Sequence, residues 1–271
     1  MRIALLTLEA LAAAAPVRRF VAGQADRIAL VALSDPFRPQ RGGTLGQARH
    51  LLGRSGLRFL PYLAVNFVLP RLAGLLPQRA GTPEETKLAP LCGRLGIPVE
   101  TVADMNAPAF RARLAASGAE AVVTFHCDQI LTAETIATLP QGGINVHAGL
   151  LPDHRGPVPT LHALLDAEPR FGVTLHRLVP RIDAGAVLAQ ARVELPAVPT
   201  ALAAALHVHE AAVPLLCDVL DRMAAGTLDE RPVIPGPYCG FPTREAMRRL
   251  ARAGRRGAGW GDVVRALRTP A

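Results

Sequence analysis

The feature that most constrains this chain is a set of short, almost wholly apolar runs separated by helix-length segments. Residues 2–7 (RIALLT), 26–33 (DRIALVAL), 119–125 (AEAVVTF) and 143–147 (GINVH) are strand-length and show little polar alternation. A strand that faces water on one side alternates apolar and polar side chains, whereas a continuous apolar run must be covered on both faces. Residues 97–102 read as a further strand, and residues 10–24, 84–94 and 108–117 carry helical patterns between the runs. Strands that alternate with helices and are buried on both faces specify an α/β architecture, a Rossmann-like, mostly parallel sheet flanked by helices. Ligands of such sheets sit beyond the carboxyl ends of the strands.

The pattern shifts after residue 170. Residues 171–179 and 186–195 are alternating, strand-like runs joined by PRIDAG. Residues 200–225 form one long helical pattern, RPVIP reads as a short strand, and residues 243–253 read as an Arg-rich helix. The expected division is a catalytic domain over 1–195 and a small helical and short-strand extension over 196–271. Half of the 271 residues are apolar, enough for a sizeable core and against global disorder. The net charge is +8, and Lys87 is the only lysine among the 30 cationic residues. A basic surface of this kind favours anionic partners, although it is also what a simple solvated arginine surface looks like. Cys92, Cys127, Cys217 and Cys239 lie far apart with no C-x-x-C, which fits reduced thiols in a cytoplasm better than a disulfide or zinc framework. No signal-peptide cleavage pattern follows the first strand.

An apolar insertion of about 45–80 interrupts the α/β rhythm. Its stretch FLPYLAVNFVLP, residues 59–70, has no charge and follows Arg49, Arg54 and Arg58. It is too short and too interrupted by Pro61, Asn66 and Pro70 to span a bilayer. Two readings stand, a buried or self-associating helical segment that would fit a homodimer, and a membrane-surface contact through residues 59–76 beside basic side chains. The second would place a cytoplasmic protein peripherally on the inner membrane.

The stretch GGINVHAGLLPDHRGP, residues 142–157, carries the chemistry. Alternation puts Asn145 and His147 on one face of a strand, where both side chains converge on one ligand atom. LLPDHRGP is rich in backbone-shaping residues, as in a loop built around a ligand. GVTLHRLVPRIDAG then places Asp183 between two strands, within reach of the imidazole. A lone His at a strand end is commonly just packed or solvated, so the reading depends on the whole constellation. No Ser or Cys in the motif is near enough to serve as nucleophile, so a covalent acyl-enzyme is not indicated. Amide, imidazole and carboxylate instead suit the tetrahedral intermediate formed when an external amine attacks a carbonyl. A protonated His147 and the Asn145 amide donate to the oxyanion. Asp183 raises the His147 pKa, holds its ring and helps take up the amine proton.

Asn145-x-His147, LLP-x-x-RG-x-x-P, Gly172-Val-Thr-x-His176 and Asp183-x-Gly185, in this order, resemble the folate-dependent formyltransferase family. The match is strong over 119–195 and looser over 1–118. It implies the formyltransferase fold, 10-formyltetrahydrofolate as donor co-substrate without a metal, and a primary amine as acceptor. It carries catalytic roles to Asn145, His147 and Asp183. It also implies folate contacts along Phe125, His126, Cys127, Ile130 and Leu131 and around Ile182 and Gly185, made largely by backbone groups. Arg155, Gly156 and His176 fall on the substrate side. Arg155 stands either as an anion contact or as a structural arginine, and His176 as pointing to the acceptor or packing.

The chain departs from the family at Gly149, where a Ser is usual, and at His154, where an aromatic is usual. It also lacks the purine enzyme's Gly-rich turn after the first strand. GVTLHRLVPRIDAG is most similar to sugar-nucleotide members, so an amino sugar, nucleotide- or lipid-linked, is the expected acceptor. The tRNA-acting members carry a larger C-terminal barrel, and nucleic acid is therefore not favoured. A hydrolase that releases formate and a non-catalytic, membrane-recruited protein remain alternatives. His207 and His209 diverge on a helix, and His126, Cys127 and Asp128 are merely adjacent, so neither group reads as a metal site.

Overall fold

The computed structural model describes residues 1–35, 43–75, 82–195 and 199–270. The first half alternates as its sequence predicts: β1 (Ile3–Thr7), α1 (Ala14–Gly23), β2 (Ile28–Ser34) and α2 (Gly43–Ser55). A short helical stretch comes after them: α3 (Leu60–Leu63), a π-helical segment (Ala64–Val68) and α4 (Leu69–Ala73). Next come α5 (Leu88–Arg94), β3 (Val99–Val102), α6 (Pro108–Ala116), β4 (Ala121–Phe125), α7 (Ala133–Ile136) and β5 (Gly143–His147). The chain continues with α8 (Pro159–Ala163), β6 (Gly172–Arg177), β7 (Val187–Arg192), α9 (Ala201–Ala224), α10 (Arg244–Arg252) and α11 (Trp260–Arg268).

The seven strands form one sheet in the order β3-β2-β1-β4-β5-β6-β7. β1 to β5 pair in parallel, and β6 and β7 are added antiparallel. This is a mostly parallel sheet flanked by helices, the expected class. Strand order reverses between β1 and β4, so the loops after these strands diverge and leave a crevice at their carboxyl ends. β1 and β4 are buried at every position, the physical reason for their unbroken apolar sequence.

Two hydrophobic cores position the site and the insertion. One lies on the sheet and includes Leu5, Val123, Ile144 and Leu175 together with Val208, Ala212, Leu216 and Val219 of α9. α9 is long and apolar enough to cross a membrane by length and composition, but half of the qualifying window is buried inside the protein. Its apolar face is thus accounted for by the sheet it covers. The first helix of the expected 196–271 extension therefore packs in the same core as the strands, and residues 196–198, where the expected division falls, lie outside the described residues.

The second core joins the insertion to the C-terminal helices. Phe59, Tyr62 and Val65 pack with Leu161, Leu202, Met247, Leu250 and Ala266. Phe59 stacks on Tyr62 at a centroid distance of 5.1 Å and meets Phe241 at 6.3 Å. The insertion is helical, with one side in the core and the other exposed. Residues 76–80 of the expected insertion lie outside the described residues. RPVIP makes only an isolated bridge from Arg231 to Val187, because its prolines cannot extend a ladder.

Truncating Leu216 to Ala should lower the main unfolding transition by about 2–5 kcal/mol, the cost of a buried Leu→Ala cavity. Chemical denaturation followed by circular dichroism checks this. A loss confined to a separate, smaller transition would show that α9 folds independently of the sheet.

Candidate active site

The site is built on one line of polar residues crossing the sheet. Thr124 on β4 pairs in register with Asn145 on β5, and Asn145 pairs with His176 on β6. Cross-strand partners project from the same face, so the three side chains must meet. Thr124 Oγ1 donates to Asn145 Oδ1 at 2.6 Å, and Asn145 Nδ2 donates to His176 Nε2 at 2.9 Å. His176 Nδ1 lies 2.9 Å from its neighbour's carbonyl, Arg177 O, and donates to it, which leaves Nε2 as the acceptor. Asn145 Nδ2 also donates to Asp183 Oδ1 at 3.3 Å. A carboxylate only accepts, so it fixes which end of the amide faces it.

Asp183 is the hub. It sits between β6 and β7 in the left-handed region, with φ of 45°, a conformation a non-glycine residue holds only when its surroundings impose it. Arg155 supplies that constraint. It is 4% exposed, and its guanidinium donates to the carbonyls of Ile182, Asp183 and Gly236. Gly156 N–H donates to Asp183 Oδ2 at 2.8 Å. Gly156 has φ of 129°, and a Cβ there would overlap the Cys239 carbonyl, so the loop after β5 approaches the C-terminal segment only because this residue is glycine. The carboxylate then faces two imidazoles, His147 Nδ1 at 3.5 Å and His176 Nε2 at 3.4 Å.

His147 is 5% exposed, and its Nε2 has no hydrogen-bond partner among the described residues. Burial lowers its pKa to about 4, against the opposing pull of Asp183. This corrects the expectation of a protonated His147: Asp183 does favour the cation, but loss of water outweighs it. A neutral ring with its Nδ1 proton toward Asp183 leaves the Nε2 lone pair open. Burial also opposes ionisation of Asp183, but the His147 ring and the Gly156 N–H that face it hold its pKa below the usual carboxylate value. The site is thus an ionised carboxylate serving neutral imidazole. Gly149 shapes the pocket of that ring, since a Cβ there would lie 2.8 Å from His147 Nε2.

The structure brings Asn145, His147, Asp183 and His176 together, with His176 packed at 2% exposure rather than open to an acceptor. The structure also places Arg155 and the expected folate-lining residues. Of the two readings of Arg155, the structure shows the structural one: its guanidinium donates to the carbonyls of Ile182, Asp183 and Gly236. Among the residues expected to line the folate, Phe125 and Leu131 are core side chains, at 0% and 3% exposure, and can offer a ligand only backbone. Ile130 is exposed, Cys127 is half-buried with Sγ 3.7 Å from Met105 Sδ, and His126 uses its carbonyl to accept from Leu8 N–H. Ile182 gives its carbonyl to Arg155, and Gly185 precedes the Arg177–Ala186 backbone bond that starts β7.

Sequence reasoning missed Thr124, although a lone Thr in a run as apolar as AVVTF was the available signal. It also missed a brace under the 126–131 loop, where Ser34 donates to Asp128 and Gln129 links Ser34, Met105 N–H and the Val102 carbonyl. Asn66 of the insertion accepts from Leu11 N–H and Ala12 N–H in the loop after β1, at 2.9 and 3.0 Å. The Ala12 carbonyl in turn accepts from His209 Nδ1 at 2.8 Å, and His209 packs edge-on to His126.

Residues 98–220 match the family described as formyl transferase, a segment running from β3 through most of α9. Among solved structures, a sugar N-formyltransferase from a Shewanella species matches at 18% identity and a TM-score of 0.56, covering 99% of this chain and 88% of that one. Glycinamide ribonucleotide transformylase 1 from Symbiobacterium toebii matches at 16% identity and a TM-score of 0.57, covering 86% and 94%. A Helicobacter canadensis N-formyltransferase in complex with folinic acid and dTDP-3-aminofucose matches at 14% identity and a TM-score of 0.53, covering 89% and 71%. Residues 98–220 are thus similar to that family, and the solved structures share the fold of the chain.

Burial lowers the pKa of His126 to about 4 and of His209 to about 3, as it does for His147. The unfolded chain protonates these rings near the ordinary value of about 6.5 while the folded state resists. Their stabilisation is therefore complete above about pH 6.5 and is lost as pH falls toward 4, where the depressed Asp183 acts in the same direction. Urea midpoints from pH 7.5 to 4 should fall across that window, and the triple variant His126→Gln, His147→Gln, His209→Gln should flatten the curve. A midpoint unchanged down to pH 4.5 would contradict rings held neutral in the folded state.

Proposed function

We propose that this protein transfers a formyl group from 10-formyltetrahydrofolate to the primary amine of an amino sugar, carried on a nucleotide or a lipid. The observation that supports it most is a buried, neutral His147 with an open Nε2, backed by an ionised Asp183 at the carboxyl edge of the sheet. The neighbours described as sugar N-formyltransferases, and the N-formyltransferase bound to folinic acid and a dTDP-amino sugar, support the substrate class.

The amine nitrogen attacks the formyl carbon and a C–N bond forms, placing negative charge on the formyl oxygen. The Asn145 amide, turned by Thr124, provides N–H donors at that position once substrate competes with Asp183 and His176 for them. His147 Nε2 takes the proton that the amine loses, and the imidazolium formed is balanced by Asp183. Collapse of the intermediate breaks the bond to folate N10, and the proton on His147 passes to the departing nitrogen. Atoms and charge balance: the N-formylated sugar and tetrahydrofolate leave, and the imidazole is neutral again. Because His147 is already neutral at physiological pH, it needs no deprotonation before the attack, and Asp183 contributes only as the charge develops. The free thiols Cys92, Cys127, Cys217 and Cys239 support a reducing, cytoplasmic setting.

Incubation with 10-formyltetrahydrofolate and a panel of amino-sugar nucleotides, with tetrahydrofolate release and mass spectrometry of the sugar as readouts, tests this. His147→Ala should lower kcat/KM by roughly 10²–10⁴-fold, the usual contribution of a general base. Formate release that ignores every amine would make the protein a hydrolase, and full turnover by His147→Ala would overturn the site.

A further inference from the structure

The second core leaves an exposed apolar face with no partner among the described residues. The helical stretch of residues 57–75 buries Phe59, Tyr62, Val65 and Ala73 and exposes Leu57, Leu60, Val68, Leu72 and Leu75. Most of the exposed positions recur at three- and four-residue steps, so they form one stripe along the helix. α4 packs against α11, which shows the same division. Ala266 enters the second core, while Trp260, Val264 and Leu267 form an outward stripe, with Trp260 80% exposed. Both elements press their inner sides into one cluster, so both stripes face away from it.

Charge selects the occupant. Residues 43–75 contain no acidic side chain, and residues 246–270 contain only Asp262. Asp262 is buried and engaged, receiving Thr200 Oγ1–H at 2.7 Å and Gly259 N–H at 2.8 Å. The cations around the stripes, Arg58, Arg256, Arg265 and Arg268, are exposed. Leucine and valine beside exposed arginines, with an exposed tryptophan among them, match a bilayer interface with anionic headgroups, and the carboxylates whose charge reaches the stretch, Asp35 and Glu9, act on Arg71.

We propose that this composite face docks the protein on an anionic membrane surface, lying in the interface without spanning it. The same stretch contacts the catalytic side, since Asn66 accepts the Leu11 and Ala12 N–H groups in the loop after β1. Docking would therefore hold the carboxyl edge of the sheet near the headgroups, which suits an amino sugar carried on a lipid. That last consequence rests on the proposed formyl transfer; the docking itself does not.

Trp260 is the sole tryptophan, so its emission reports the face directly. The full-length protein is titrated with vesicles of phosphatidylcholine alone and of phosphatidylcholine with phosphatidylglycerol, with no folate or amine present. The expected result is a blue shift and co-sedimentation with anionic vesicles only. Leu72→Glu with Val264→Glu should weaken binding at least tenfold, as should Arg265→Gln with Arg268→Gln, while Leu95→Glu elsewhere on the surface should not. Circular dichroism of each variant confirms folding. No binding to anionic vesicles at low salt would overturn the proposal. So would a dimer in sedimentation that Leu72→Glu dissociates, which would assign the face to a second copy. Because the vesicles carry neither donor nor acceptor, failure here leaves the formyl-transfer reading intact, and failure of turnover leaves the docking result standing.

Discussion

Arg155 holding the Asp183 loop is the interaction on which the rest of the site depends. One buried guanidinium donates to three carbonyls, those of Ile182, Asp183 and Gly236, and so ties the β6–β7 loop to the segment before α10. That clamp, with the Gly156 N–H on Oδ2, is what keeps Asp183 at a positive φ with its carboxylate inside the protein. A buried carboxylate is costly unless it is hydrogen-bonded and paired. Here it accepts from Asn145 and Gly156 and faces two imidazoles, and each of those partners is positioned by it in return. Replacing Arg155 with an aliphatic side chain would remove the donor that all three carbonyls share and free the loop.

The order of effects explains why His147 is neutral. Proximity to a carboxylate favours imidazolium, and removal from water disfavours it. At 5% exposure the second effect wins, and the pKa falls to about 4. A neutral imidazole with an ionised carboxylate behind it is a base whose product cation is paired with that carboxylate as it forms. The polar line Thr124–Asn145–His176 keeps the amide aligned.

Much of this is legible in the chain. RIALLT, AVVTF and GINVH announce buried strands because a run without polar alternation has no wet face, and they are β1, β4 and β5. The two-residue step from Asn145 to His147 announces convergence because a strand has period two. Asp183 is legible from its place between two strand patterns. Environment is not legible in the same way. Nothing in HRGP says whether Arg155 faces ligand or backbone, since either use needs the same residue. The protonation of His147 depends on its burial in the folded chain. The 59–70 stretch offers a buried and a surface reading, and the helix divides them: Phe59, Tyr62 and Val65 go inward, while Leu60 and Val68, with Leu72 just beyond, stay out. The helix Trp260–Arg268 escapes a reading of the sequence, because its pairing with α4 brings together residues almost two hundred positions apart.

The central claim is that an ionised Asp183 serves a neutral His147. Nitrogen NMR of ¹⁵N-histidine-labelled protein at pH 7, with His147→Gln used for assignment, tests it most directly. The account predicts a neutral ring at position 147, protonated on Nδ1 with a bare Nε2, and no conversion to the cation until pH falls well below 6. An imidazolium signal for His147 at pH 7 would contradict it.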